Sequence, residues 1–252
     1  MSASLRRIRL SLVTLATLLA LGLSASNVRA QADECCLSPD NGTGTATLPP
    51  TVADGTCLYV GSGEIVDGLP LGTTIQISAT YGFFNNVTEF VGGTLAGTRS
   101  DFSAIMTMTM TGTGALLGFN RVIPVPLPFG AQRISWSPRV ANAAVQNVLG
   151  DLERLSGQVT GDPDFDLLRI TGGGDFGMPS PGQAQLVTSA GQWATSSFFD
   201  IQYRIDFVGK PGGALAGMSG STTRTRRFTM CPRSVVPVLP STWTGIKALL
   251  LN

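Results

Sequence analysis

Three aspartates recur at alternate positions, Asp162, Asp164 and Asp166, a spacing that suits oxygen coordination of Ca²⁺ when a loop curls around the ion. The usual calcium loop also places a glycine sixth and an acid twelfth, where Leu167 and Gly173 stand here, so a turn bent by Pro163 and capped by its aspartates is the competing expectation. Arg224 and Arg226, with Arg227, lie in a Thr-rich stretch and are candidates for bidentate contacts to a sulfated or carboxylated glycan. The same run also suits the wet face of an edge strand, where charge blocks edge-to-edge pairing. Trp136 and Trp193 are candidate platforms for a sugar ring if exposed, and core residues if buried. Beyond the extreme N-terminus of the mature chain, Glu64, Glu89 and Glu153 are the glutamates available for a glycosidase-type carboxylate pair, which several aspartates could join and which needs a separation of about 5 to 9 Å.

Absences narrow the chemistry further. The chain has no histidine, which excludes a Ser-His-Asp triad, a Cys-His pair and histidine-ligated zinc. No G-x-S-x-G elbow occurs, and Gly172-Gly173-Gly174 precedes no helix that could cradle a phosphate, so it reads as a turn. Four cysteines, Cys35, Cys36, Cys57 and Cys231, form an even set without a C-x-x-C pair, which favours disulfides over a metal site. Neighbouring cysteines strain when bonded to each other, so Cys35 and Cys36 are expected each to reach one of Cys57 and Cys231; both pairings are open.

That oxidised set agrees with the N-terminus. Arg6, Arg7 and Arg9 precede an apolar run from Leu10 to Leu23, and small residues follow as far as Val28-Arg29-Ala30. This is the anatomy of a secretory signal over residues 1–30, with cleavage expected after Ala30 and an alternative cut at Ala32. The run falls short of the ~20 apolar residues that span a bilayer, and no span is expected in the mature chain. Removing residues 1–30 takes away four of the 17 basic residues and none of the 16 acidic ones, so the formal charge moves from +1 to 13 − 16 = −3. Nothing there would hold nucleic acid. The expected location is extracellular or at the cell surface, with the periplasm as the alternative.

The elements that position these residues read as strands. Phe199, Ile201, Tyr203, Ile205 and Phe207 alternate with polar residues over Phe198–Val208, and Phe102–Met110 repeats the pattern. Further strands are expected at Thr73–Thr80, Phe83–Phe90, Ala115–Val125, Gln132–Trp136, Leu155–Thr160, Leu167–Thr171, Gln183–Thr188 and Ser219–Met230, separated by Gly and Pro clusters. Val140–Arg154 is the one internal helical candidate, with a long connection as its alternative. The fold class is therefore all-β, with a β-sandwich or jelly-roll-like pair of antiparallel sheets over residues 31–231. Gly92-Gly93-Thr94-Leu95-Ala96-Gly97 matches Gly212-Gly213-Ala214-Leu215-Ala216-Gly217, which suggests a duplication relating residues 57–125 and 155–231. Residues 232–252 form a Pro-punctuated tether ending in a short amphipathic helix with Trp243, Ile246, Leu249 and Leu250 on one side.

The aspartate–glycine segment from Gly161 to Gly177, the Phe198-Phe199-Asp200-Ile201 strand and the Leu215-Ala216-Gly217 turn resemble exported bacterial β-proteins of unknown function, over about residues 35–230. The Trp243-x-x-Ile246-Lys247 ending is similar to short tails of exported bacterial proteins, which implies sorting or surface display. The resemblance implies export and a shared β architecture, and no activity. Two function classes follow: a non-enzymatic surface module binding glycan or protein, and a secreted polysaccharide hydrolase using a carboxylate pair.

Overall fold

The computed structural model describes residues 36–51 and 57–230. The signal sequence, Cys35, Cys231, the tether and the C-terminal helix expected from the sequence lie outside the described residues. The chain is all-β, as its alternation requires. After a short β1 (Leu37–Ser38) come β2 (Tyr59–Ile65), β3 (Ile75–Val91), β4 (Thr98–Gly112), β5 (Asn120–Trp136), β6 (Val145–Thr160), β7 (Phe165–Gly172), β8 (Pro181–Ser189), β9 (Gln192–Gly209) and β10 (Ser219–Met230). Single 3₁₀ turns occupy Gly114–Leu116 and Gly174–Phe176. Among the described residues no helix is long and apolar enough to cross a membrane.

Every pairing is antiparallel, and the sheet closes on itself. Strands β2 to β6 follow in chain order, β7 and β8 share one stave between β6 and β9, and β10 returns from β9 to β2. Two separate sheets, as in the sandwich or jelly roll expected from turn spacing, are thus replaced by one continuous ring. Two seams in that ring are weakly paired. Strand β5 meets β6 only over Gln132–Trp136, and β10 meets β2 only over Thr229–Met230. Beyond these contacts, toward the end carrying the Gly114–Leu116 turn (the upper end), the strands fall into two groups, β2–β5 and β6, β7, β9 and β10. Pro124, Pro126 and Pro128 explain one seam: their missing N–H groups line the edge of β5 turned away from β4.

Strand β6 corrects the helical expectation for Val140–Arg154. Its inward residues are Gln146, Val148, Gly150 and Leu152, a two-residue alternation hidden from apolar counting by a glutamine and a glycine. Gly150 is small because a Cβ there would sit 2.8 Å from the Trp136 ring and 2.9 Å from Phe199. Thr73–Thr80 and Phe83–Phe90 prove to be one strand, β3, with register shifts near Phe83 and Asn86, both at positive φ. The two similar Gly-Ala turns join β3 to β4 and β9 to β10, and the up-and-down order sets them at opposite ends of the ring.

The interior is filled. Tyr59, Tyr81, Phe102, Met106, Met108, Phe165, Phe199 and Phe207 are all buried, and the residual space near Ile77, Met106 and Ile201 is about 10 Å³, no more than one water requires. Burial raises the Tyr81 hydroxyl well above its ordinary range, and does the same to Tyr59 against the bond it makes with Ser197. Across the lower end runs the strap of residues 36–51. Ala46 and Leu48 are buried there, Ser100 Oγ donates to Leu48 O at 2.6 Å, and Thr45 Oγ1 donates to Gln146 Oε1 at 2.6 Å. Arg139 donates to Ala46 O at 2.5 Å and to Glu89 Oε1 at 3.1 Å. Of the two pairings open for Cys36, the structure has Cys36–Cys57, which ties this strap to the start of β2.

Candidate functional site

One stave of the ring is interrupted, and the interruption builds an open concave surface. Between β7 and β8 the chain leaves the sheet as Gly173-Gly174-Asp175-Phe176-Gly177 and rejoins it at Met178, whose N–H bonds Gly173 O at 3.1 Å. Gly173 takes φ 93° and ψ 167°, and a Cβ there would lie 2.5 Å from Glu153 O. Only glycine fits that conformation at that distance. The excursion carries Asp175 and Phe176 outward to wall a cleft of about 370 Å³, shared with Gly130 and Ala131 of β5 and Arg154 and Ser156 of β6. Phe176 is 43% exposed.

Asp175 is held in place by cations from two strands. Arg154 approaches its Oδ2 through Nε at 2.8 Å and Nη2 at 2.7 Å, and uses Nη1 on Gly130 O at 3.2 Å. Arg133 stands 3.8 Å from the same oxygen and is itself fixed by Asp101, at 2.8 Å from Nε and 3.3 Å from Nη2. The Asp101 hydrogen bonds raise the Arg133 guanidinium further above its ordinary value, so the cation is permanent. A register shift between Arg133 and Ile134 places Glu153 on this outer face. There Glu153 accepts a short hydrogen bond from Ser135 Oγ and another from Thr94 N at 3.1 Å. Thr94 Oγ1 donates to Asp151 Oδ2 at 3.1 Å, so the β3–β4 turn covers two neighbouring carboxylates. Burial, with the Glu153 charge beside it, raises the Asp151 carboxyl above its ordinary value.

Of the residues singled out by sequence, all but Glu153 are placed elsewhere. Asp162 and Asp164 both grip Arg121, Asp162 at 2.7 Å. Asp162 also accepts Asp164 N at 2.9 Å, and Asp164 accepts Ala214 N at 2.9 Å. Asp166 is exposed on β7 and makes no part of this knot. The aspartates thus form a latch at the upper end, and among the described residues no group of three or more His, Cys, Asp or Glu side chains could hold a metal ion. Arg224 and Arg226 both reach Glu64 of β2, at 2.8 and 3.0 Å, across the other seam, which is closed also by Thr222 Oγ1 accepting Val66 N and Asp67 N at 3.0 Å. Arg227 bonds Asp200 and lies 4.1 Å over the Phe198 ring.

Both tryptophans are core residues, which corrects the expectation of sugar platforms. Trp136 is fully buried against Phe199, and Trp193 is 3% exposed with Nε1 on Asp40 Oδ2 at 2.9 Å. That bond holds the Asp40 carboxyl below its ordinary value. Every arginine among the described residues has a carboxylate within 4 Å. Of the three glutamates, Glu64 and Glu89 are spent on arginines, and Glu153 has Asp151 as its neighbour. The cleft residues Arg154, Asp175 and Phe176 went unselected. Their signal was the Gly-Gly-Gly-Asp-Phe-Gly run between two strand-like stretches, which reads equally well as a plain connection. No protein-family model, curated protein or solved structure matches the chain.

Proposed function

We propose that the chain is an exported, non-enzymatic β-domain that binds a glycan or protein ligand at the cleft beside Phe176, from a secreted or surface location. The carrying observation is the interrupted stave, which presents Asp175 and a half-exposed aromatic ring beside a cleft of about 370 Å³. Specific sites are concave and combine apolar surface with a few fixed polar groups, and the Arg133–Asp175–Arg154 lattice supplies that fixation. Cys36–Cys57 agrees with an oxidising destination.

An array of oligosaccharides and polysaccharides on the full chain tests this reading, beside an Arg154→Ala variant that loosens Asp175. Binding by the parent and at least roughly tenfold weaker binding by the variant is the expected result. A chelator is expected to leave binding unchanged, since Asp162 and Asp164 already hold Arg121. Loss of binding on chelation would move the site to those aspartates.

The second reading, a carboxylate-dependent polysaccharide hydrolase, draws on Asp151 and Glu153. One carboxyl is raised by burial beside another, the arrangement that separates acid from base. Release of new reducing ends from a polysaccharide, abolished by Asp151→Asn, would establish it over the binding reading.

A further inference from the structure

We infer that Cys35 and Cys231 join in a second disulfide that ties the strap to the end of β10, a bond independent of the cleft. Each of the two adjoins a described residue, Cys36 and Met230, and the register of those neighbours brings both chain ends to one place. Strand β10 runs antiparallel along β9 as far as Met230, opposite Ser197. Strand β1 is also antiparallel to β9, with Leu37 opposite Ala194 and Thr195 N donating to Cys36 O at 2.9 Å. Both occupy the same edge of β9, because β8 fills the other edge over Gln192–Phe199. One residue onward from Met230 and one residue back from Cys36 therefore lead to the same position, opposite Ser196.

Distance and side both suit a bond. The two register steps between Met230 and Cys36 amount to about 7 Å, so residues entering that gap from its two ends come within the Cα separation of roughly 4.4 to 6.8 Å that a disulfide tolerates. Met230 and Cys36 are both buried, and strand alternation turns the residue after the one and before the other to the outer face together. Cys36 is already bonded to Cys57, which leaves Cys35 as the intramolecular partner for Cys231. The bond forms by exchange: an external disulfide, of the kind an oxidising compartment supplies, accepts two electrons and two protons from the Cys35 and Cys231 thiols and leaves as two thiols. It closes a loop with a sequence separation of 231 − 35 = 196, which takes in nearly the whole ring.

Thiol alkylation of the full chain, produced under oxidising conditions and then denatured, tests the pairing together with peptide mapping in the absence of reductant. No cysteine of the parent is expected to take up label, and the tryptic peptide Phe228–Arg233 is expected to travel linked to the segment that holds Cys35. Cys35→Ser is expected to label at Cys231 and leave Cys57 protected, whereas Cys36→Ser is expected to label at Cys57 and leave Cys231 protected. The Cys35→Ser, Cys231→Ser variant, which keeps Cys36–Cys57, is expected to melt roughly 10 °C or more below the parent. Label at both Cys35 and Cys231 in the parent would overturn the bond. Label at Cys57 in Cys35→Ser would overturn the pairing. A dimer on a non-reducing gel that disappears in Cys231→Ser would assign Cys231 to a second chain and overturn the intramolecular bond as well.

Discussion

Gly173 decides whether the cleft wall can form, because its backbone occupies a region closed to residues with a Cβ and its Cα faces Glu153 O. Gly173→Ala is expected to cost about 2 kcal/mol or more, the sum of strain and displaced backbone. Gly174, its neighbour, has open space where a Cβ would go, and Gly174→Ala is expected to change stability by less than about 0.5 kcal/mol. Paired urea titrations check both; equal midpoints for the two variants would show that the excursion is not anchored at Gly173. Asp151 provides a second test at this scale. Its folded pKa is raised above the unfolded value, so the native state disfavours its ionised form. The carboxyl therefore costs stability as pH rises through the ordinary carboxylate range, and Asp151→Asn is expected to be more stable than the parent at neutral pH. That advantage should vanish at acid pH, where both states carry the proton. Denaturation midpoints measured across pH read the sign directly.

Elements repeat the lesson with seams in place of single residues. Alternation over Phe198–Val208 and Phe102–Met110 made β9 and β4 legible, because each keeps apolar residues inward and mostly Ser, Thr or charge outward. Strand β6 escaped because Gln146 and Gly150 occupy inward places and erase the apolar period. The charged runs were legible as runs and illegible as pairs. Asp162 and Asp164 find Arg121 from another strand, and Arg224 and Arg226 find Glu64 across the chain, so each candidate ligand site is a stitch at a seam where backbone pairing stops. Their weights differ by burial. Arg226 is partly exposed, and Arg226→Ala is expected to cost less than about 1 kcal/mol. Thr222 is fully buried and satisfies two backbone N–H groups at once, so Thr222→Val should cost about 2 to 3 kcal/mol through the donors it leaves bare. Urea midpoints in the reverse order would mean that ion pairs, not the buried hydroxyl, close the β2–β10 seam.

At the scale of the whole molecule, closure depends on what seals the lower end. Here the ring holds buried polar groups, Gln132, Gln146, Thr195 and Ser197, and the strap keeps water from them by laying Ala46 and Leu48 across the opening. Entropy makes the Cys36–Cys57 link matter more than its local contacts: it removes conformations of a loop spanning a sequence separation of 21 from the unfolded chain, worth about 3 kcal/mol. Packing contributes separately, since Leu48→Ala would open a cavity under the strap and is expected to cost about 2 to 4 kcal/mol. The two losses act on different states, the disulfide on the unfolded chain and the leucine on the folded one. Their sum in the Cys36→Ser, Cys57→Ser, Leu48→Ala variant should therefore be close to additive. Thermal unfolding checks this: removing the disulfide alone should lower Tm by roughly 6 to 12 °C for a chain of this size. A triple variant no less stable than the disulfide variant would mean that the strap lifts off once unlinked, making the covalent tie a condition of the packing rather than an addition to it.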